Sequence, residues 1–95
     1  FFDRTPLYIA SQKGYLDIVR ALLAAKAEAN KGDNIGRTPL YIGSKEGHLE
    51  VVNTLLAAKA EVNKSMDDGR TPLSMALRNN HHEVAAVLRE AGGHE

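Results

Sequence analysis

Cysteine and tryptophan are missing from this 95-residue chain, and its aromatic side chains amount to three Tyr and two Phe. Without cysteine there is no disulfide and no thiolate metal ligand, a composition that suits a reducing compartment and gives the expectation of an intracellular protein, cytoplasmic or nuclear. Charge of one sign is not in excess. Twelve Lys and Arg face twelve Asp and Glu, so no long-range positive field gathers phosphates, and nucleic acid is not an expected partner. Long hydrophobic runs are absent as well: Ala21 to Ala25 is closed off by Arg20 and Lys26, far short of the roughly 18 to 20 apolar residues of a membrane span. No secretory leader is legible, and the expectation is a soluble protein without a membrane partner. With 43% hydrophobic residues the chain can build one core and is too short for two.

What the chain does have is repetition. Thr5-Pro6-Leu7 returns as Thr38-Pro39-Leu40 and again as Thr71-Pro72-Leu73, each 33 residues after the one before. Gly14 returns as Gly47, Leu22-Leu23 as Leu55-Leu56, Ala24 to Glu28 as Ala57 to Glu61, and Asn30-Lys31 as Asn63-Lys64. A fixed period of this length marks an array of similar units that share one continuous core.

The middle unit shows how each is built. The Thr38 hydroxyl suits a helix N-cap, and Pro39, with its fixed φ and missing N–H, suits the first helical position. A helix is expected from Pro39 to about Glu46, where Gly47 permits a reversal. Leu49, Val52, Leu55 and Leu56 then recur with helical spacing, which predicts a second, antiparallel helix over His48 to Ala58. Glu61 to Gly69 is rich in turn formers and brings the chain back to the next Thr-Pro-Leu. Helices of two or three turns are marginal alone, so each unit must stack on its neighbours. The fold class expected is all-α: a solenoid forming a single domain over residues 1–95, with units at 1–32 (its start truncated), 33–65 and a cap-like 66–95.

The order and spacing of Asp33, Gly36, Thr38-Pro39-Leu40, Gly47-His48-Leu49, Val51-Val52, Leu55-Leu56, Ala60 and Val62-Asn63 resemble the ankyrin repeat family, and the resemblance covers essentially the whole chain. It implies L-shaped units whose loops project as β-hairpin-like fingers, with fingers and first helices forming a concave groove that grips partner proteins. It implies no enzymatic activity, no cofactor and no small-molecule substrate.

Departures from the family pattern carry their own expectations. Tyr8, Tyr41 and Ser74 stand where the family usually has His, and a packed ring whose hydroxyl reaches backbone or water is expected of the tyrosines. Lys26 and Lys59 replace a glycine that closes the second helix, placing a side chain in the left-handed region at about 1 kcal/mol per site. Asn80 stands where Gly14 and Gly47 do, and asparagine tolerates that conformation best among non-glycine residues. Arg89 takes the place of Leu23 and Leu56, and Ala85 that of Val19 and Val52, so the third unit reads as a cap with Arg89 in solvent and the two leucines buried. The first unit shows no such softening. Its N-terminal face is expected to be apolar and uncovered, as a piece of a longer array, or covered through self-association or by Phe1 and Phe2 folding back.

Chemistry finds little support. His82-Glu83 opens like a zinc-protease motif, but Ala86 stands where the second His belongs, and the adjacent His81 and His82 point to different sides of a helix. Phosphate-binding and dinucleotide glycine patterns and the nucleophile elbow are absent. Asn30 and Asn63 occupy the position that asparaginyl hydroxylation targets in the family, yet the same Asn serves there to hold the loop backbone. The family's partner-contact positions fall on Phe1, Phe2, Arg4, Gln12 and Lys13 in the first unit and on Asp33, Asn34, Ile35, Arg37, Lys45 and Glu46 in the second. In the third they are Met66, Asp67, Asp68, Arg70, Arg78 and Asn79. Ile35 and Met66 have no folding role legible in the sequence, while Arg4, Arg37 and Arg70 recur in register as a ladder that would clasp acidic side chains or pair locally with Asp33, Asp67 and Asp68. The expected function is a protein–protein interaction module. The alternatives are an engineered or structural scaffold without a natural ligand, against which differences such as Ile18-Val19 versus Val51-Val52 argue, and a fragment of a larger multidomain protein.

Overall fold

The computed structural model describes residues 4–95, so the expectations placed on Phe1 and Phe2 lie outside the described residues. It contains α1 (Pro6–Lys13), α2 (Leu16–Ala24), α3 (Pro39–Glu46), α4 (Leu49–Ala57), α5 (Pro72–Arg78) and α6 (His82–Glu90), with no strand among the described residues. The helices start where the Thr-Pro pairs predict. The hydroxyls of Thr5, Thr38 and Thr71 accept from the backbone N–H of Tyr8, Tyr41 and Ser74 at 3.0, 3.1 and 3.1 Å, satisfying a donor that the first turn leaves free. Each first helix then reverses through a left-handed residue: Gly14 at φ 75°, Gly47 at φ 78° and Asn80 at φ 63°. Lys26 and Lys59 also hold φ 71°, the strained closure expected of them.

Pairs of antiparallel helices stack side by side, α1 on α3 and α3 on α5, with α2, α4 and α6 behind them. Between the two layers runs an aliphatic core in which Val19, Val52, Leu55 and Leu88 are fully buried. A smaller cluster of Tyr8, Tyr41, Ile42 and Met75 lies apart from it. The second helices meet one another less extensively than the first helices do. Leu23 and Leu56 therefore stay half-buried at that looser seam, where full burial was expected, although both still pack on the core. Arg89 is exposed, as expected of it.

Polar contacts set the stacking register. His48 Nε2 lies 2.9 Å from the Gln12 carbonyl, so this nitrogen carries the proton and donates it across the seam. Asn30 Oδ1 accepts from the Glu61 N–H at 2.7 Å, while Asn63 donates to the Gly92 carbonyl at 3.1 Å and accepts from the His94 N–H at 2.9 Å. Both asparagines thus tie their loop to the backbone of the following unit. The hydroxyl of Tyr8, expected to reach backbone or water, has no partner among the described residues, although its ring is 1% exposed.

Candidate functional site

Two fingers connect the helix pairs. In the first, the Asp33 N–H donates to the Arg37 carbonyl at 2.9 Å and the Gly36 N–H to the Asp33 carbonyl at 3.0 Å, with Gly36 at φ 88°. The Asp33 carboxylate completes the turn: Oδ1 accepts from the N–H of Ile35 at 3.1 Å and of Arg37 at 2.9 Å, and Oδ2 accepts from Arg37 Nε at 2.8 Å. This carboxylate has no exposed side-chain surface, and a buried, charge-assisted arrangement of this kind holds a loop in one shape.

The second finger has the same backbone closure, Met66 N–H to the Arg70 carbonyl and Gly69 N–H to the Met66 carbonyl, both at 2.8 Å. Its chemistry differs because Met66 stands where the first finger has Asp33. No carboxylate occupies that place, so Arg70 turns to Asp68 at 3.1 Å, with both side chains about half exposed at 47% and 49%. Water screens such a pair, and it holds Arg70 only weakly. The fingers are stitched together by the Asp67 N–H donating to the Ile35 carbonyl at 3.2 Å.

The three arginines in register consequently differ. Arg37 is locked to Asp33 and lies 5.8 Å from the centre of the Tyr8 ring, Arg4 is exposed over the same ring at 5.2 Å, and Arg70 stays in solvent. The local pairing expected with these acids occurs within each finger, Arg37 with Asp33 and Arg70 with Asp68. Burial pushes the Tyr8 phenol above its ordinary value of 10.0, with the positive charges of Arg37 and Arg4 opposing the rise.

The remaining positions divide in the same way. Met66 is half-buried against the tyrosine cluster, which gives it a folding role that the sequence does not reveal, and Ile35 is half-buried. Asn34, Asp67 and Asp68 are exposed on the fingers. Lys13 and Glu46 are exposed at the ends of α1 and α3, Gln12 and Lys45 are half-buried, and Asn79 is exposed with its amide donating to the Met75 carbonyl. Arg78 is exposed at the end of α5 and shares with Arg70 a cleft of about 370 Å³, together with Ser74, Met75, Leu77 and Glu95. Nothing in the sequence joins Arg70 to Arg78; the readable signal is Met66, which leaves Arg70 without the acid that immobilises Arg37. Among the described residues no three metal-ligating side chains converge, and no helix is long and apolar enough to cross a membrane.

No curated protein matches the chain. A family model described as ankyrin repeats in three copies matches residues 2–66 and 36–95, and so spans nearly every residue. The Thr-Pro-capped helix pairs, the hydrogen-bonded fingers and this match place the chain in the ankyrin repeat family, a non-catalytic fold whose repeats generally serve as protein–protein interaction modules.

Proposed function

We propose that the chain binds a partner protein through its two fingers and the exposed face of its first helices, and performs no catalysis of its own. The observation that carries this reading is the contrast between the fingers. Arg37 is spent on Asp33, whereas Arg70 is half exposed in a weak pair and lies with Arg78 around a cleft floored by Met75 and Leu77. Exposed guanidiniums beside apolar surface form the composition in which binding hot spots are enriched, and they suit a partner segment with an acidic residue next to an apolar one. Stacked helices hold this surface in place beforehand, so little ordering entropy opposes association. The backs of the second helices offer Asp17, Arg20, Glu50 and Asn53, an ordinary solvated surface.

The test compares two double variants by calorimetry against a partner recovered with the intact chain. Ile35→Ala with Arg70→Ala should lose about 2 kcal/mol or more of binding, roughly thirtyfold, while Arg20→Ala with Asn53→Ala should bind like the parent. All four side chains are at least partly exposed, so both variants should fold. The opposite ranking would move the site to the second helices.

A further inference from the structure

We propose that Ser65 is a phosphorylation site, and that its phosphate supplies Arg70 with the acid that the second finger lacks. Of the four serines and four threonines in the chain, Ser65 is the one that is exposed with a hydroxyl bonded to nothing among the described residues. Ser11 and Ser44 are fully buried, Thr5, Thr38 and Thr71 cap helices, Ser74 completes the cap of α5, and the Thr54 hydroxyl donates to the Glu50 carbonyl. Asp67 and Asp68 follow Ser65 at the second and third positions and are exposed, a pattern that suits a kinase with a basic substrate cleft. In the transfer the Ser65 oxygen attacks the terminal phosphorus of a nucleoside triphosphate held by that kinase. The Oγ–P bond forms as the bond to the bridging oxygen breaks, a nucleoside diphosphate leaves, and the hydroxyl proton passes to a base of the kinase.

The two fingers show what a phosphate there does. In the first, the Asp33 carboxylate immobilises Arg37; in the second, Met66 stands in that place and Arg70 keeps only a half-exposed pair with Asp68 at 3.1 Å. Ser65 takes the place of Gly32, where a Cβ would lie 3.2 Å from the Gly36 carbonyl carbon. Both fingers close through the same backbone bonds, so the Ser65 side chain lies beside Gly69, next in the chain to Arg70. A phosphoserine carries a charge of about −1.5 to −2 and three acceptor oxygens, against the single charge of Asp68, and a guanidinium on a flexible stem follows the stronger acceptor. Asp68 keeps its other bond, with Oδ1 accepting from the Arg70 N–H at 3.2 Å. Repulsion from Asp67 and Asp68 opposes the phosphate, and Lys64, exposed beside Ser65, offsets it. The modified finger is thereby fixed as the first one is. Arg70 is then withdrawn from a partner, a consequence that rests on the binding reading above, whereas the modification itself does not.

The intact chain, incubated with magnesium, ATP and a serine kinase that selects acidic residues after its target, should gain one phosphoryl group by mass spectrometry, and Ser65→Ala none. Titration of the phosphorus resonance should then place the second ionisation of that phosphate lower in the intact chain than in Arg70→Ala, by about half a unit or more. Both substituted positions are exposed, so the variants should fold. Neither measurement uses a partner, so their failure leaves binding through the fingers to its own test. A chain that takes up no phosphate, or a Ser65→Ala variant that takes up as much, would overturn the proposal. So would a phosphate that ionises alike with and without Arg70.

Discussion

Tyr8 shows what single side chains contribute and what they cost. Its ring is 1% exposed and lies within reach of two guanidiniums, yet its hydroxyl has no partner among the described residues, and a buried hydroxyl left unpaired costs about 1–3 kcal/mol. Tyr8→Phe keeps the ring and removes the orphan, so thermal melts should show stability unchanged or raised by about 1 kcal/mol. The same variant should alter the alkaline limb. Because the folded-state pKa is raised, the contribution is complete below 10.0, where both states are protonated, and is lost as pH rises, the unfolded chain releasing its proton first. Denaturant titrations above pH 10 should therefore find that Tyr8→Phe loses less stability than the parent. Glycine matters at this scale where two demands coincide. Gly47 holds φ 78°, and a Cβ there would also run into the His81 ring, just as one on Gly14 would meet His48. Gly47→Ala should accordingly cost more than the roughly 1 kcal/mol of left-handed backbone strain alone. Adding His81→Ala should recover part of that loss, and the melts of the two single variants and the double variant measure the coupling. Asn80 is exposed at the corresponding position.

Helices here are short and locally well specified, but they depend on their neighbours. The sequence predicts α3 over Pro39 to Glu46, and the structure agrees residue for residue, because a threonine cap, a proline start and a glycine stop are all local signals. The second helix of that unit is shorter by one residue at each end than predicted. His48 leaves the helical conformation at ψ 86°, and its ring bonds to Gln12 in the unit before. Propensity holds nothing this short together, so the burial of one helix in the middle must be felt by the whole stack. Leu55 is 0% exposed on α4 within the continuous aliphatic core, and Leu55→Ala should cost about 2–5 kcal/mol. A variant melting within a degree or two of the parent would remove Leu55 from the core.

At the scale of the whole molecule, the two faces of the stack differ in chemistry. The first unit ends in exposed isoleucines and the last in an exposed arginine. Arg89→Leu restores at the C-terminal end the residue that the earlier units carry at Leu23 and Leu56. A leucine there adds exposed apolar surface, so light scattering should show Arg89→Leu associating more readily than the parent while the helical signal is kept. If its mass instead matches the parent at every concentration, the residue at position 89 does not limit association.

The sequence by itself determined the period, the six helices, the reversals between them and the asymmetry of the two ends, because these rest on signals within a few residues of one another. Only the tertiary structure decided which side chains meet across units about 33 residues apart in sequence. That Arg37 is held by Asp33 while Arg70 is not, that Met66 joins the tyrosine cluster, and that Asn30 and Asn63 bond to the next loop all depend on how one unit is rotated and seated upon another. Three similar fingers or helices read alike as text. Their side chains acquire different roles because each unit packs against a different set of neighbouring side chains.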